Sequence, residues 1–194
     1  MKQKRFVFIP ILLFGVLSCA SAPKGGGSVE SQYKKEVRRW TQEARIYELF
    51  QTRILARATM KSEEYRRAFV NYYTEVYLLE PEQKEALWDR HRQASERTEE
   101  FFLEVFTPDF HLNNLEDPDS FWKVYLEDSS GQRYKPIRIE SVDEPFQHIQ
   151  AFYPYVSQWS RFYDVYFPKL SVAGSVKLIV TSSMGRAELL FKGE

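Results

Sequence analysis

Cysteine is almost absent from this chain: of 194 residues only Cys19 carries a thiol. No intramolecular disulfide can form, so the fold must rest on its core even in an oxidising compartment. Histidine is scarce as well, with three copies, His91, His111 and His148. None lies four residues from another, so the H-E-x-x-H zinc pattern is missing. No G-x-S-x-G elbow marks a serine nucleophile either. These absences remove the recognisable catalytic constellations, and the chain is expected to be non-enzymatic and without a cofactor. A long hydrophobic run is missing too. The most apolar stretch, Phe6 to Leu17, is interrupted by Pro10 and falls short of the roughly 20 residues that span a bilayer. Nor is there an excess of one charge, with 27 basic and 27 acidic side chains. Without a strongly basic domain, nucleic acid is not an expected partner.

What is present at the start of the chain is organised. Lys2, Lys4 and Arg5 lead into the apolar stretch, and small Ser18 stands directly before Cys19. Basic start, short apolar segment and small residue make a secretory signal pattern. The run Val16-Leu17-Ser18-Cys19 resembles a bacterial lipobox. The resemblance implies cleavage after residue 18 and acylation of Cys19, with palmitate among the acyl groups. Ala20 follows the cysteine, and by the sorting rules of such lipoproteins a residue other than Asp implies the outer membrane. The body would then face the periplasm. Several acyl chains hold a protein firmly where one gives only marginal binding. Removal of residues 1–18, which carry three positive charges and no negative ones, leaves a net charge of −3. Residues 19–30, with Gly25-Gly26-Gly27-Ser28, read as a flexible tether. Its span is about 35–40 Å fully extended and about 18 Å as a coil.

Residues 31–194 read as one α+β domain, helical over about 31–99 and β-rich over about 100–194. In 30–44, Tyr33, Val37, Trp40 and Ala44 recur at helical spacing, predicting an amphipathic helix. Residues 46–59 fit a helix or one face of a strand. Thr52, Ile54, Leu55 and Thr59 favour a strand over 49–59. Ser62 can cap a helix over 62–79, with Glu63 and Glu64 in its first turn. Tyr65, Phe69, Tyr72, Val76 and Leu79 form its apolar stripe. Pro81 opens the next helix at a position that needs no N–H, and the short connection predicts an αα-hairpin. Beyond residue 100 the period falls to two. Segments 101–107, 120–127, 132–141, 146–153, 158–167, 175–182 and 186–191 read as short strands, with Asp128-Ser129-Ser130-Gly131 as a turn. The spacing predicts an antiparallel immunoglobulin-like β-sandwich. Tyr153-Pro154-Tyr155, Trp159-Ser160-Arg161 and Ser182 to Leu189 resemble a group of bacterial envelope lipoproteins to which no activity is attached. That likeness implies an envelope location and nothing further.

Three surfaces invite a functional reading. Residues 107–121 concentrate Asp109, Asn113, Asn114, Glu116, Asp117 and Asp119, the oxygen ligands that hard cations take. Their spacing matches no calcium loop, so a solvated connection is the expectation and no metal is assigned. Residues 34–67 hold a mild basic excess that would suit either a solvated helix face or anionic head groups. The densest aromatic segment runs from Phe146 to Phe167. Trp159, Tyr163, Val165 and Phe167 share one strand face and are assigned to the core. Phe162 and Tyr166 share the other face and, with Tyr153 and Tyr155, are the candidate binding surface, since exposed aromatics anchor proteins or stack on sugars. The leading expectation is an envelope lipoprotein that binds or positions an envelope protein. The alternative is a small-molecule or glycan-binding module, and a less favoured third reading is a hydrolase whose site matches no recognised motif.

Overall fold

The computed structural model describes residues 27–171 and 174–193. The signal segment, Cys19 and most of the tether lie outside the described residues. Among the described residues the helices are α1 (Val29–Arg39), α2 (Glu63–Tyr77), α3 (Pro81–Arg97) and α4 (Phe146–Phe152). The strands are β1 (Thr41–Glu48), β2 (Gln51–Met60), β3 (Thr98–Phe106), β4 (Lys123–Glu127), β5 (Arg133–Tyr134), β6 (Arg138–Ser141), β7 (Arg161–Pro168), β8 (Val176–Ser182) and β9 (Gly185–Phe191). They form two antiparallel sheets, one ordered β1-β2-β3-β7-β6 and the other β5-β4-β8-β9. No described helix is long and apolar enough to cross a membrane.

The helix expected over 30–44 stops at Arg39. Ser28 caps it by accepting the Ser31 N–H, and Tyr33 and Val37 are buried on its inner face. Thr41 then turns the chain into a strand. Its hydroxyl donates to the Val37 carbonyl and pairs with the Thr59 hydroxyl at 2.7 Å. Ala44 therefore faces Ala56 across β1 and β2, and Ile46 faces Ile54. The strand reading of 49–59 corresponds to β2. A stripe at i+4 is also a stripe at i+2, which is why the local pattern left this region ambiguous.

Helices α2 and α3 begin where Ser62 and Pro81 placed them. The Ser62 hydroxyl accepts the Tyr65 N–H, and Glu80 with Gln83 forms a capping box beside Pro81. The expected stripe of α2 fades at its end, where Val76 is exposed. Thr98 ends α3 in extended geometry, so Phe101 belongs to β3.

Four strand readings change. Residues 101–107 do not alternate: Glu100 to Val105 are all buried, because β3 has the opposite sheet on one side and helices on the other. Residues 132–141 make two short strands in different sheets, β5 and β6, broken at Pro136, which has no N–H for a ladder. Residues 146–153 form α4. Phe146, Ile149 and Phe152 recur at i+3, and Ile149 and Phe152 are buried. Trp159 precedes β7 and is 71 % exposed, whereas Tyr163, Val165 and Phe167 are core residues. The central core lies between the sheets and includes Ile54, Leu103, Val165, Trp122, Leu126 and Leu178. Two smaller apolar clusters lie where the helices cover the five-stranded sheet.

Candidate binding surfaces

The outer face of the five-stranded sheet is where sequence placed an open aromatic surface. It is roofed instead. Phe162, 8 % exposed, lies in a cluster with Phe102, Ile149 and Val156. Tyr153 stacks on Phe102 with ring centroids 3.6 Å apart, and its hydroxyl accepts from Tyr65 at 2.9 Å. The Tyr155 hydroxyl pairs with that of Thr59 at 2.6 Å. Tyr166 is half-buried, with the Arg138 guanidinium 4.2 Å from its ring centroid. Burial pushes the Tyr166 phenol up to about 12 and raises those of Tyr153 and Tyr155. The candidate residues are thus brought to one layer, but most of their surface is spent on packing.

Charged groups are threaded through the same layer. Arg66, 2 % exposed, pairs with Glu100 at 3.0 Å and donates from Nε to the Lys61 carbonyl. It also reaches His91 Nδ1 at 3.3 Å. Guanidinium is only a donor, so this contact requires Nδ1 to accept and the ring to be neutral. Burial, reinforced by the Arg66 charge, lowers the His91 ring to about 4. Burial also pulls the Glu100 carboxyl upward, but Arg66, Lys61 and the Thr98 hydroxyl outweigh it and hold the group below its ordinary value. Glu104 behaves oppositely. Burial raises it although it accepts the Ser157 N–H at 2.8 Å and faces Arg57 at 3.3 Å.

A cavity of about 250 Å³ opens beside this network. Phe69, Tyr73, Phe102 and Tyr153 supply aromatic walls. Lys61 and Asp164, paired at 2.7 Å, and Glu144, in contact with His148, are the polar groups of its lining. Each of these polar groups is already partnered within the fold.

A different surface is unpartnered. Leu55 pairs with Phe106 and Val105 with Arg161, so β3 ends and β7 begins at the level of Leu55, on the side of the sheet that carries the β1–β2 turn. A Cβ on Gly185 would meet Ile46 at 3.1 Å, which brings the β8–β9 turn to this same end. Here Tyr47, Leu49, Phe50, Phe110, Trp159 and Met184 are all exposed. Arg161 lies 4.3 Å from the Phe110 ring centroid. Sequence reasoning missed this convergence. One signal was available: Leu49-Phe50 occupies a hairpin turn where Gly, Asn or Asp is favoured.

The oxygen-rich loop also borders this end. Its carboxylates serve the chain itself, Asp109 accepting from His111 and Asp117 from Asp119. Asn113 is buried, donating to the Val105 carbonyl and accepting from Tyr163. Among the described residues no group of three His, Cys, Asp or Glu is placed to hold a metal ion. Comparison with family models, curated proteins and solved structures finds no match.

Proposed function

We propose that this chain is a non-enzymatic envelope lipoprotein, anchored at the outer membrane through acylated Cys19 and facing the periplasm, whose body binds or positions another envelope component. The observation that carries the reading is the collection of large exposed apolar side chains at one end of the body. Large exposed apolar side chains gathered at one end of a fold mark interaction sites. The lipobox-like Val16-Leu17-Ser18-Cys19 supports the anchor. We further infer that the two sheets form an immunoglobulin-like sandwich and that α2 and α3 form an αα-hairpin. The shared core between the sheets and the three-residue connection Leu78 to Glu80 support this.

The test is in-cell crosslinking and recovery of the intact protein, with Cys19→Ala as control. The expected result is an envelope component recovered with wild type and lost in the variant. Recovery of neither an envelope protein nor a crosslinked membrane lipid with the wild type would refute the reading. A second reading, a small-molecule or glycan-binding module, draws on the aromatic-walled cavity. It predicts a saturable change in tryptophan fluorescence on titration with oligosaccharides or peptidoglycan fragments.

A further inference from the structure

We propose that the component met by the apolar end is the lipid bilayer itself. The β1–β2 tip inserts Leu49 and Phe50 among the acyl chains, and Tyr47, Phe110, Trp159 and Met184 settle at the head-group level. This deepens the lipoprotein reading and rests on it.

Shape is the first support. Residues 47–50 continue past Ile46, which lies against Gly185 of the β8–β9 turn. Tyr47 and Glu48 add about 7 Å of strand, and the Leu49-Phe50 turn caps it, enough to carry the tip beneath the head groups. The apolar residues come from the β1–β2 turn, the β3–β4 loop, the segment before β7 and the β8–β9 turn. A fluid surface accommodates such a convex, multi-loop end without a matching groove.

Backbone conformation is the second. Leu49 has φ 55°, a left-handed geometry that costs an L-residue energy. Its side chain is 92 % exposed and Phe50 is fully exposed, so the fold recovers nothing from either side chain. A turn selected for stability alone would carry Gly or Asn here.

The residue order along the finger is the third. Leu and Phe occupy the apex, Tyr47 stands behind them, and Trp159 lies on a neighbouring loop. Tyr and Trp favour the membrane interface while aliphatic residues go deeper. The tip's own charges are neutralised, Glu48 being paired with Arg53, and Arg161 lies 3.6 Å from Glu116. Asp109, Asp117 and Asp119 sit in the bordering loop, so anionic head groups confer no advantage. Cys19 precedes Gly27, where the described residues begin, by eight residues. That is at most about 29 Å of chain, which keeps the body within reach of the surface.

The test uses the mature chain, residues 19–194, with Cys19→Ala and a single fluorophore-bearing cysteine. The label goes at Gln51→Cys beside the tip, or at Ser130→Cys in the β4–β5 turn at the other end. Vesicles of phosphatidylethanolamine and phosphatidylcholine carry a quencher on their acyl chains. The Gln51 label is expected to be quenched and the Ser130 label not, with no gain on adding anionic lipid. Combining Leu49→Asn with Phe50→Ser should lower vesicle partition at least tenfold, since each buried apolar side chain is worth about that factor. The melting temperature should not fall. An unquenched Gln51 label, or equal quenching at both sites, would overturn the proposal. Palmitate labelling in cells tests the anchor separately. Label on wild type but not on Cys19→Ala, together with an unquenched tip, would retain the anchor and discard the insertion.

Discussion

Replacing His91 with glutamine should flatten the acid sensitivity of this protein. The ring lies against Phe69, with centroids 5.2 Å apart, and faces Arg66, Lys61, Arg90 and Glu100. Burial, then the Arg66 charge, lowers it from 6.5 to about 4. Between those values the unfolded chain takes up a proton that the folded chain refuses. The stabilising contribution is therefore complete above about pH 6.5 and is lost as the pH falls toward 4. Each pH unit across the gap is worth about 1.4 kcal/mol, so the full loss is about 3 kcal/mol. At pH 5 it is about 2 kcal/mol. Glutamine can still accept from Arg66 but does not titrate. Urea denaturation of both proteins at pH 7.5 and pH 5.0 isolates the term, because other titrating groups cancel in the difference between the two chains. The wild type should lose about 2 kcal/mol more than His91→Gln across that interval. Equal losses would refute the claim that the fold holds this ring neutral.

Two further substitutions probe the packing. Arg66→Ala leaves the Glu100 carboxylate, its side chain 9 % exposed, without its closest cation. This should cost about 3–5 kcal/mol in denaturant melts, whereas pairing Arg66→Met with Glu100→Leu should recover most of the loss. Gly185→Ala places a Cβ 3.1 Å from the Ile46 side chain at φ 132°, so both strain and crowding oppose it. Gly131→Ala meets nothing within 4 Å at φ 86° and should cost only about 1 kcal/mol. Thermal melts should therefore rank Gly185→Ala as the more damaging of the two.

Local chemistry was sufficient for the elements whose two faces differ. Ser62 and Pro81 placed the starts of α2 and α3, and Gly131, at φ 86°, placed a turn. Alternation located β4, β8 and β9, where Val124, Leu126, Leu178, Val180, Ala187 and Leu189 point into the core. For these segments the apolar period reports the secondary structure directly.

Segments with apolar residues on more than one face stayed open until their neighbours were known. Ala44 fitted the stripe of a helix, yet the pairing of Thr41 with Thr59 assigns it to β1. Phe162 sat on a face that could have met solvent, and Ile149 and Val156 cover it. Trp159 matched the spacing of the core residues after it but stands outside β7, exposed. The apolar end was the least legible feature, because Leu49, Phe110, Trp159 and Met184 are far apart in the chain. Side-chain periodicity is a property of a few consecutive residues and names the face of an element. Which surface covers that face, or whether any does, is decided by contacts between distant segments. The sequence by itself thus determined the capped helices and the alternating strands, while tertiary structure alone decided that the aromatic layer is roofed and that the loop end is bare.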